Sequence, residues 1–199
     1  MATSNVDVVN GALFRLGQNL ITTMSEQPGL NQIYIPTLDA RIRMHNWNAF
    51  TMRAALQELD DNPAFGFDHM FQLPQDPLCL KPLTVNETET EPDPDVKWVV
   101  ESYQTASASY RVLLTDETSV NLKYLARITD VLRWDALFAE AMSVDLAYQG
   151  CISITGNTTL KQILQNEAKE AWRLAKSRDG QEGRPLKKVL SNALITPRL

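Results

Sequence analysis

Residues 137–175 read LFAEAMSVDLAYQGCISITGNTTLKQILQNEAKEAWRLA. Leu137, Ala141, Val144, Tyr148 and Cys151 recur at helical spacing, and after Gly156-Asn157-Thr158 the spacing resumes with Leu160, Leu164, Ala168, Ala171 and Ala175. Apolar residues recur in this way on the inward face of an amphipathic helix, and a glycine-led break between two such runs ends one helix and starts the next. The stretch therefore predicts two long helices, antiparallel to each other, with Leu137, Ala141, Leu160, Leu164 and Ala168 buried. The alanines permit close approach, while Lys161, Lys169, Arg173 and Lys176 take the more exposed positions.

Toward the N-terminus, Val6, Val9, Leu13 and Leu16 again fall at helical spacing. Ser4 and Asp7 form a capping-box pair ahead of them and Gly17 follows as a stop, so residues 4–16 predict a short helix. A second helix is expected over 31–46, with Tyr34, Leu38, Ile42 and His45 on one face and Pro36 either starting or kinking it.

The period changes between these helical regions. Phe50, Met52, Ala54 and Leu56 alternate with more polar neighbours, as do Phe65, Phe67, His69, Phe71 and Leu73, which is the period of half-buried strands. After Pro74, Asp76 and Pro77, residues 78–85 read as a strand neighbouring the previous one, and 97–101, 110–115 and 120–125 supply further β-type runs, with a turn at 115–118. Residues 86–95 hold Glu87, Glu89, Glu91, Asp93 and Asp95 with two prolines and no base, so like-charge repulsion predicts an exposed acidic loop. From 181 onward no helical run of useful length remains. Arg184, Lys187, Lys188 and Arg198 meet no acid after Glu182, which marks a basic tail interspersed with Leu186, Val189, Leu190, Leu194, Ile195 and Leu199.

The fold class expected is α+β: a mainly antiparallel helical bundle of residues 1–46 and 129–180, an inserted β-rich domain of residues 47–128, and an extended C-terminal tail of residues 181–199. With 44% hydrophobic and 22% charged residues, the composition is that of a folded domain. The net charge of -5 disfavours general nucleic-acid binding, which needs a basic stripe. Apolar runs fall short of a membrane span and the N-terminus lacks a signal-peptide pattern, so a cytosolic chain without membrane contact is expected. In that compartment Cys79 and Cys151 read as small buried apolar residues.

Chemistry has few carriers in this sequence. His45 and His69 are the two imidazoles, and neither is flanked by a nucleophile elbow or a Cys-His signature. No C-x-x-C, H-E-x-x-H, calcium-loop or phosphate-loop spacing occurs, so no metal or cofactor is expected. Glu58, Asp60, Asp61 and Asp68 are carboxylates from which a glycosidase pair would have to come, but sequence does not fix their separation.

The order of features carries more information than any one of them. Leu16-Gly17, Arg41 followed by Trp47 and Phe50, and Phe71-Gln72-Leu73-Pro74-Gln75-Asp76-Pro77-Leu78 come first. Leu113-Leu114-Thr115-Asp116, Leu122-Lys123-Tyr124, Arg127-Ile128-Thr129-Asp130, Trp134-Asp135-Ala136-Leu137-Phe138, Leu146-Ala147-Tyr148 and the run 171–179 follow. Together they resemble the tail tubular protein A family, the head-to-tail adaptors of T7-like short-tailed bacteriophages, over almost the whole chain. The sequence departs from the family pattern at Pro36, at the spacing of Trp47 and Phe50, and at Pro77.

The resemblance implies a non-enzymatic virion protein, assembled in the host cytoplasm, that forms a dodecameric ring between the portal protein and a tail nozzle of tubular protein B type. DNA would pass through its lumen without specific binding. On that reading Arg184, Leu186, Lys187, Lys188, Leu190, Leu194 and Ile195 are expected to meet the portal or tail. The acids Glu87, Glu89, Glu91, Asp93 and Asp95 are expected to face the lumen, a neighbouring subunit or the nozzle. The competing readings are a small DNA-binding or packaging protein using the basic tail, and a tail-associated glycan hydrolase.

Overall fold

Helix α1 (Asn5–Arg15) begins where the sequence places it, because the capping box is local chemistry: Asp7 N donates to Ser4 Oγ at 3.2 Å and Ser4 N to Asp7 Oδ2 at 3.1 Å. In this computed structural model the described residues are 2–88, 91, 95–105 and 109–182. Within them the chain is a mixed α+β fold with four α-helices and two small antiparallel sheets.

Helix α2 (Pro28–Arg43) starts three residues before the expected position and stops three before Asn46. Pro28 occupies the first turn, where a missing N–H costs nothing. Pro36 neither starts nor ends the helix but sits inside it, held there by burial of Tyr34, Leu38 and Ile42 on either side. His45 lies beyond the helix end.

Helices α3 (Ala136–Thr155) and α4 (Thr158–Glu182) flank Gly156, whose φ of 66° is the left-handed stop the break requires. Asp135 caps α3 by accepting from Leu137 N and Phe138 N, and Asn157 accepts from Leu160 N. Phe138 near the start of α3 meets Trp172 near the end of α4 at 5.2 Å, so the pair is antiparallel. Ala141, Leu164 and Ala168 are buried as expected, whereas Leu137 and Leu160 are half-buried.

The single stripe expected on α3 is corrected by its environment. Phe138, Ala139, all of 141–147, Gly150 and Cys151 are buried, because α1, α2 and α4 all pack around this helix. Two glycines permit that closeness: a Cβ on Gly11 would meet Ser143 Oγ at 2.4 Å, and one on Gly150 would meet Leu30 Cδ2 at 2.7 Å. The polar residues of α3 are matched by arginines from its neighbours. Arg15 Nη1 donates to Ser143 Oγ, and Arg41 grips the fully buried Asp145 through Nε at 2.6 Å and Nη2 at 2.9 Å.

Strands β1 (Thr51–Ala55), β6 (Asn121–Ala126) and β3 (Cys79–Val85) form one sheet in the order β1-β6-β3. Strands β2 (His69–Gln72), β5 (Ser109–Thr115) and β4 (Trp98–Gln104) form the other, in the order β2-β5-β4. The expectation that β2 and β3 are neighbours is thus overturned: the Pro74–Pro77 stretch carries the chain from one sheet to the other, as do residues 115–118 between β5 and β6. Trp47 and Phe50 do not begin a strand either. A 3-10 turn at Asn48–Phe50 turns both into the helical core. Phe65, read as part of a strand, lies beside Gly66 (φ 93°) and is 89% exposed.

One large buried cluster joins helices and strands, with Phe138 in ring contact with Trp47, Phe50, Trp134 and Trp172. A second, small cluster of Met70, Val112 and Leu114 lies on the second sheet, with Leu59, Phe67, Tyr103 and Tyr110 packed on it. Both cysteines are buried and unbridged. Among the described residues no helix is long and apolar enough to cross a membrane.

Candidate interaction surfaces

The acidic segment leaves the distal end of β3. Asn86 takes a left-handed φ of 55° and is tied to Asn121 by two backbone-directed bonds, Asn86 N to Asn121 O and Asn121 N to Asn86 Oδ1. Glu87, expected exposed, is instead turned back onto the first sheet. Its carboxylate accepts from Thr84 Oγ1 at 2.6 Å and pairs with Lys123 at 3.1 Å and Arg53 at 3.8 Å. Burial pushes this carboxyl up, but the bonds from Thr84 and Lys123 and the charges of Lys123 and Arg53 outweigh it and the net displacement is downward. Glu91 and Asp95 are exposed as expected, and Thr88 and Glu91 close a turn through Glu91 N to Thr88 Oγ1 at 2.9 Å. Glu89 and Asp93 lie outside the described residues.

The end of helix α4 is held firmly. Helix α4 continues to Glu182, two residues past the expected boundary. Asp179 in its last turns is 6% exposed and accepts from Asn48 N at 2.9 Å, with His45 Nε2 3.0 Å from its other oxygen. Asn48 Nδ2 donates to Asp179 O in return. Arg184, Leu186, Lys187, Lys188, Leu190, Leu194 and Ile195 lie outside the described residues.

A groove of about 500 Å³ opens where α2, α3 and α4 meet. Met44, Tyr148, Ala168 and Trp172 give it an apolar and aromatic lining, and the Arg41–Asp145 pair lies there with the Arg41 guanidinium 5.5 Å from the Trp172 ring centre. Lys169, Arg173 and Lys176 complete the lining, at spacings of four and three that put them on one face of α4. The exposure of Lys169 and Arg173 was legible in the sequence, whereas Lys176, expected exposed, is half-buried. The convergence of the three with Arg41 and Tyr148 was not legible, because it depends on how three helices meet; Trp172 amid the bases was the available signal.

The groups that sequence singles out for chemistry are otherwise engaged. His45 holds Asp179 and stacks edgewise on Trp47 at 4.7 Å, and His69 Nδ1 lies 2.6 Å from Glu58. Burial pushes the Cys79 thiol up to about 11, with nearby Arg111 and Arg43 only partly offsetting it, so it stays protonated near neutral pH. Among the described residues no group of three or more His, Cys, Asp or Glu is placed to hold a metal ion. A pocket of about 390 Å³ on the outer side of the second sheet is lined by Phe65, Phe67, Met70 and Tyr103, with Tyr103 Oη donating to Asp61 at 2.5 Å. No model of a known protein family and no curated protein matches this chain.

Proposed function

We propose that this chain is a structural adaptor of a short-tailed phage virion, the repeating subunit of a ring that joins the portal to the tail nozzle and lets DNA through its lumen. The observation that carries the reading is the ordered series of motifs running from Leu16 to Asp179. Most of the residues that define it do framework work: Arg41 pairs with Asp145, and Trp47, Phe50, Trp134 and Phe138 share one ring cluster. Phe71, Leu73, Leu113, Leu122 and Tyr124 are buried in the same core. A likeness resting on framework residues speaks first for a shared architecture: residues 1–46 and 129–182 as the bundle, 47–128 as its β-rich insertion, and the residues after Glu182 as a tail.

The electrostatics suit the role. A subunit of net charge -5, repeated around a ring, gives a lumen on which DNA does not stick. The basic, aliphatic residues after Glu182 leave from a helix end clamped by Asp179, a fixed base for a segment that orders on a partner. The role is non-catalytic, needs no cofactor, and places the chain at the head-to-tail joint after assembly in the host cytoplasm. The test is a chain truncated after Glu182: it stays folded yet no longer co-sediments with portal rings, and undiminished portal binding would refute the role given to the tail. A small DNA-binding protein is the second reading, favoured by the basic groove on α4. Salt-sensitive duplex binding at physiological ionic strength would select it.

A further inference from the structure

We propose that the groove between α2, α3 and α4 receives the acidic segment 88–95 of a second copy of this chain. Four cations, Arg41, Lys169, Arg173 and Lys176, line the groove; Arg41 is neutralised by Asp145 and Arg173 is paired with Glu170 on its own helix, which leaves Lys169 and Lys176 as the uncompensated charges among the described residues. On a chain of net charge -5 this is a local excess of positive charge around an aromatic floor, and its complement is an anionic strand. The chain carries one. Residues 86–96 read NETETEPDPDV, with five acids, two prolines and no base. Glu87 is consumed within its own sheet, which leaves the exposed Glu91 and Asp95 for a partner, with Glu89 and Asp93 outside the described residues. Proline lowers the conformational freedom such a strand loses on docking. The basic tail beyond Glu182 is the wrong charge for this groove.

The two features sit at opposite ends of the first sheet. Arg43, next to the groove residues Arg41 and Met44, donates to Leu80 O at the start of β3, and the acidic segment begins only after Val85 at the other end. About 17 Å of strand runs from Leu80 to Val85, and the Thr88–Glu91 turn keeps the start of the segment at that distal end. Among the described residues neither Glu91 nor Asp95 pairs with a groove cation of its own chain, and the proposed occupant is that of a different copy, in a head-to-tail contact whose repetition closes a ring or grows a filament. The pairing rests on the ring reading only for its closure.

The test is a calorimetric titration of the full chain with a synthetic peptide of residues 86–95, beside light scattering of the chain with portal rings. The peptide binds the native chain, binds about tenfold or more weakly to K169E/R173E/K176E, and weakens as salt rises. Circular dichroism melts confirm that the variant is folded, and K169Q/R173Q/K176Q serves if it is not. Peptide binding without ring formation keeps the pairing and removes the ring; rings without peptide binding overturn the pairing and keep the ring. Equal affinity for native and variant chains, or duplex DNA binding to the groove with no peptide binding, also overturns the pairing.

Discussion

The helical end of the molecule and the outer face of its second sheet are built to different standards. Around α3 a single phenylalanine, Phe138, touches four aromatic rings, and even Asp145 is enclosed with its arginine. On the outer face of the second sheet the buried residues among those described are Met70, Val112 and Leu114, beside an exposed Phe65 and an open pocket. The contrast separates a region that fixes the fold from one that presents surface, and it orders the expected effects of substitution.

The largest effect belongs to Leu164→Asp, which buries an unpaired charge where α4 meets α3. At several kcal/mol against a typical stability of about 5 to 15 kcal/mol, it unfolds the chain, and a native-like thermal melt would remove the helix pairing from the account. Phe138→Ala comes next at about 3 to 5 kcal/mol, the cost of emptying a packed aromatic site. Met70→Ala should cost about 2 kcal/mol, because the small cluster has open pocket beside it and can settle inward. Urea unfolding of the two variants decides: equal losses would erase the distinction between the regions.

The smallest effect is on pH dependence. The folded carboxyl of Glu87 lies below its ordinary value, so its pairing contributes above the usual carboxylate range and is lost as pH falls through the folded value. Glu87→Gln should remove that acid-side component, lowering the melting temperature by about 2 °C near neutral pH and by less at low pH. A pH-independent difference would show that Lys123 and Arg53 do not hold the carboxylate.

What the sequence made legible was local. The Ser4–Asp7 capping box, the Gly156 stop and the burial of Ala141, Leu164 and Ala168 depend on near neighbours and came out as expected. Sheet membership did not, since β2 and β3 are adjacent in sequence but pair with β5 and β6 respectively, choices made by distant residues. Phe50 fits an alternating pattern with Met52, Ala54 and Leu56, but a 3-10 turn takes it, with Trp47, to the helices. The groove escaped for the same reason: Arg41, Tyr148 and Lys169 converge only in the folded chain. Glu87 looked like its acidic neighbours, and only the bases across β6 and β1 set it apart.

Assembly into a closed ring at the head-to-tail joint is tested most directly by single-particle averaging of the purified chain mixed with portal protein. Dodecameric rings seated on the portal, with an open central channel, are the expected result. Portal particles without added density, beside a chain that remains monomeric at every concentration, would contradict it.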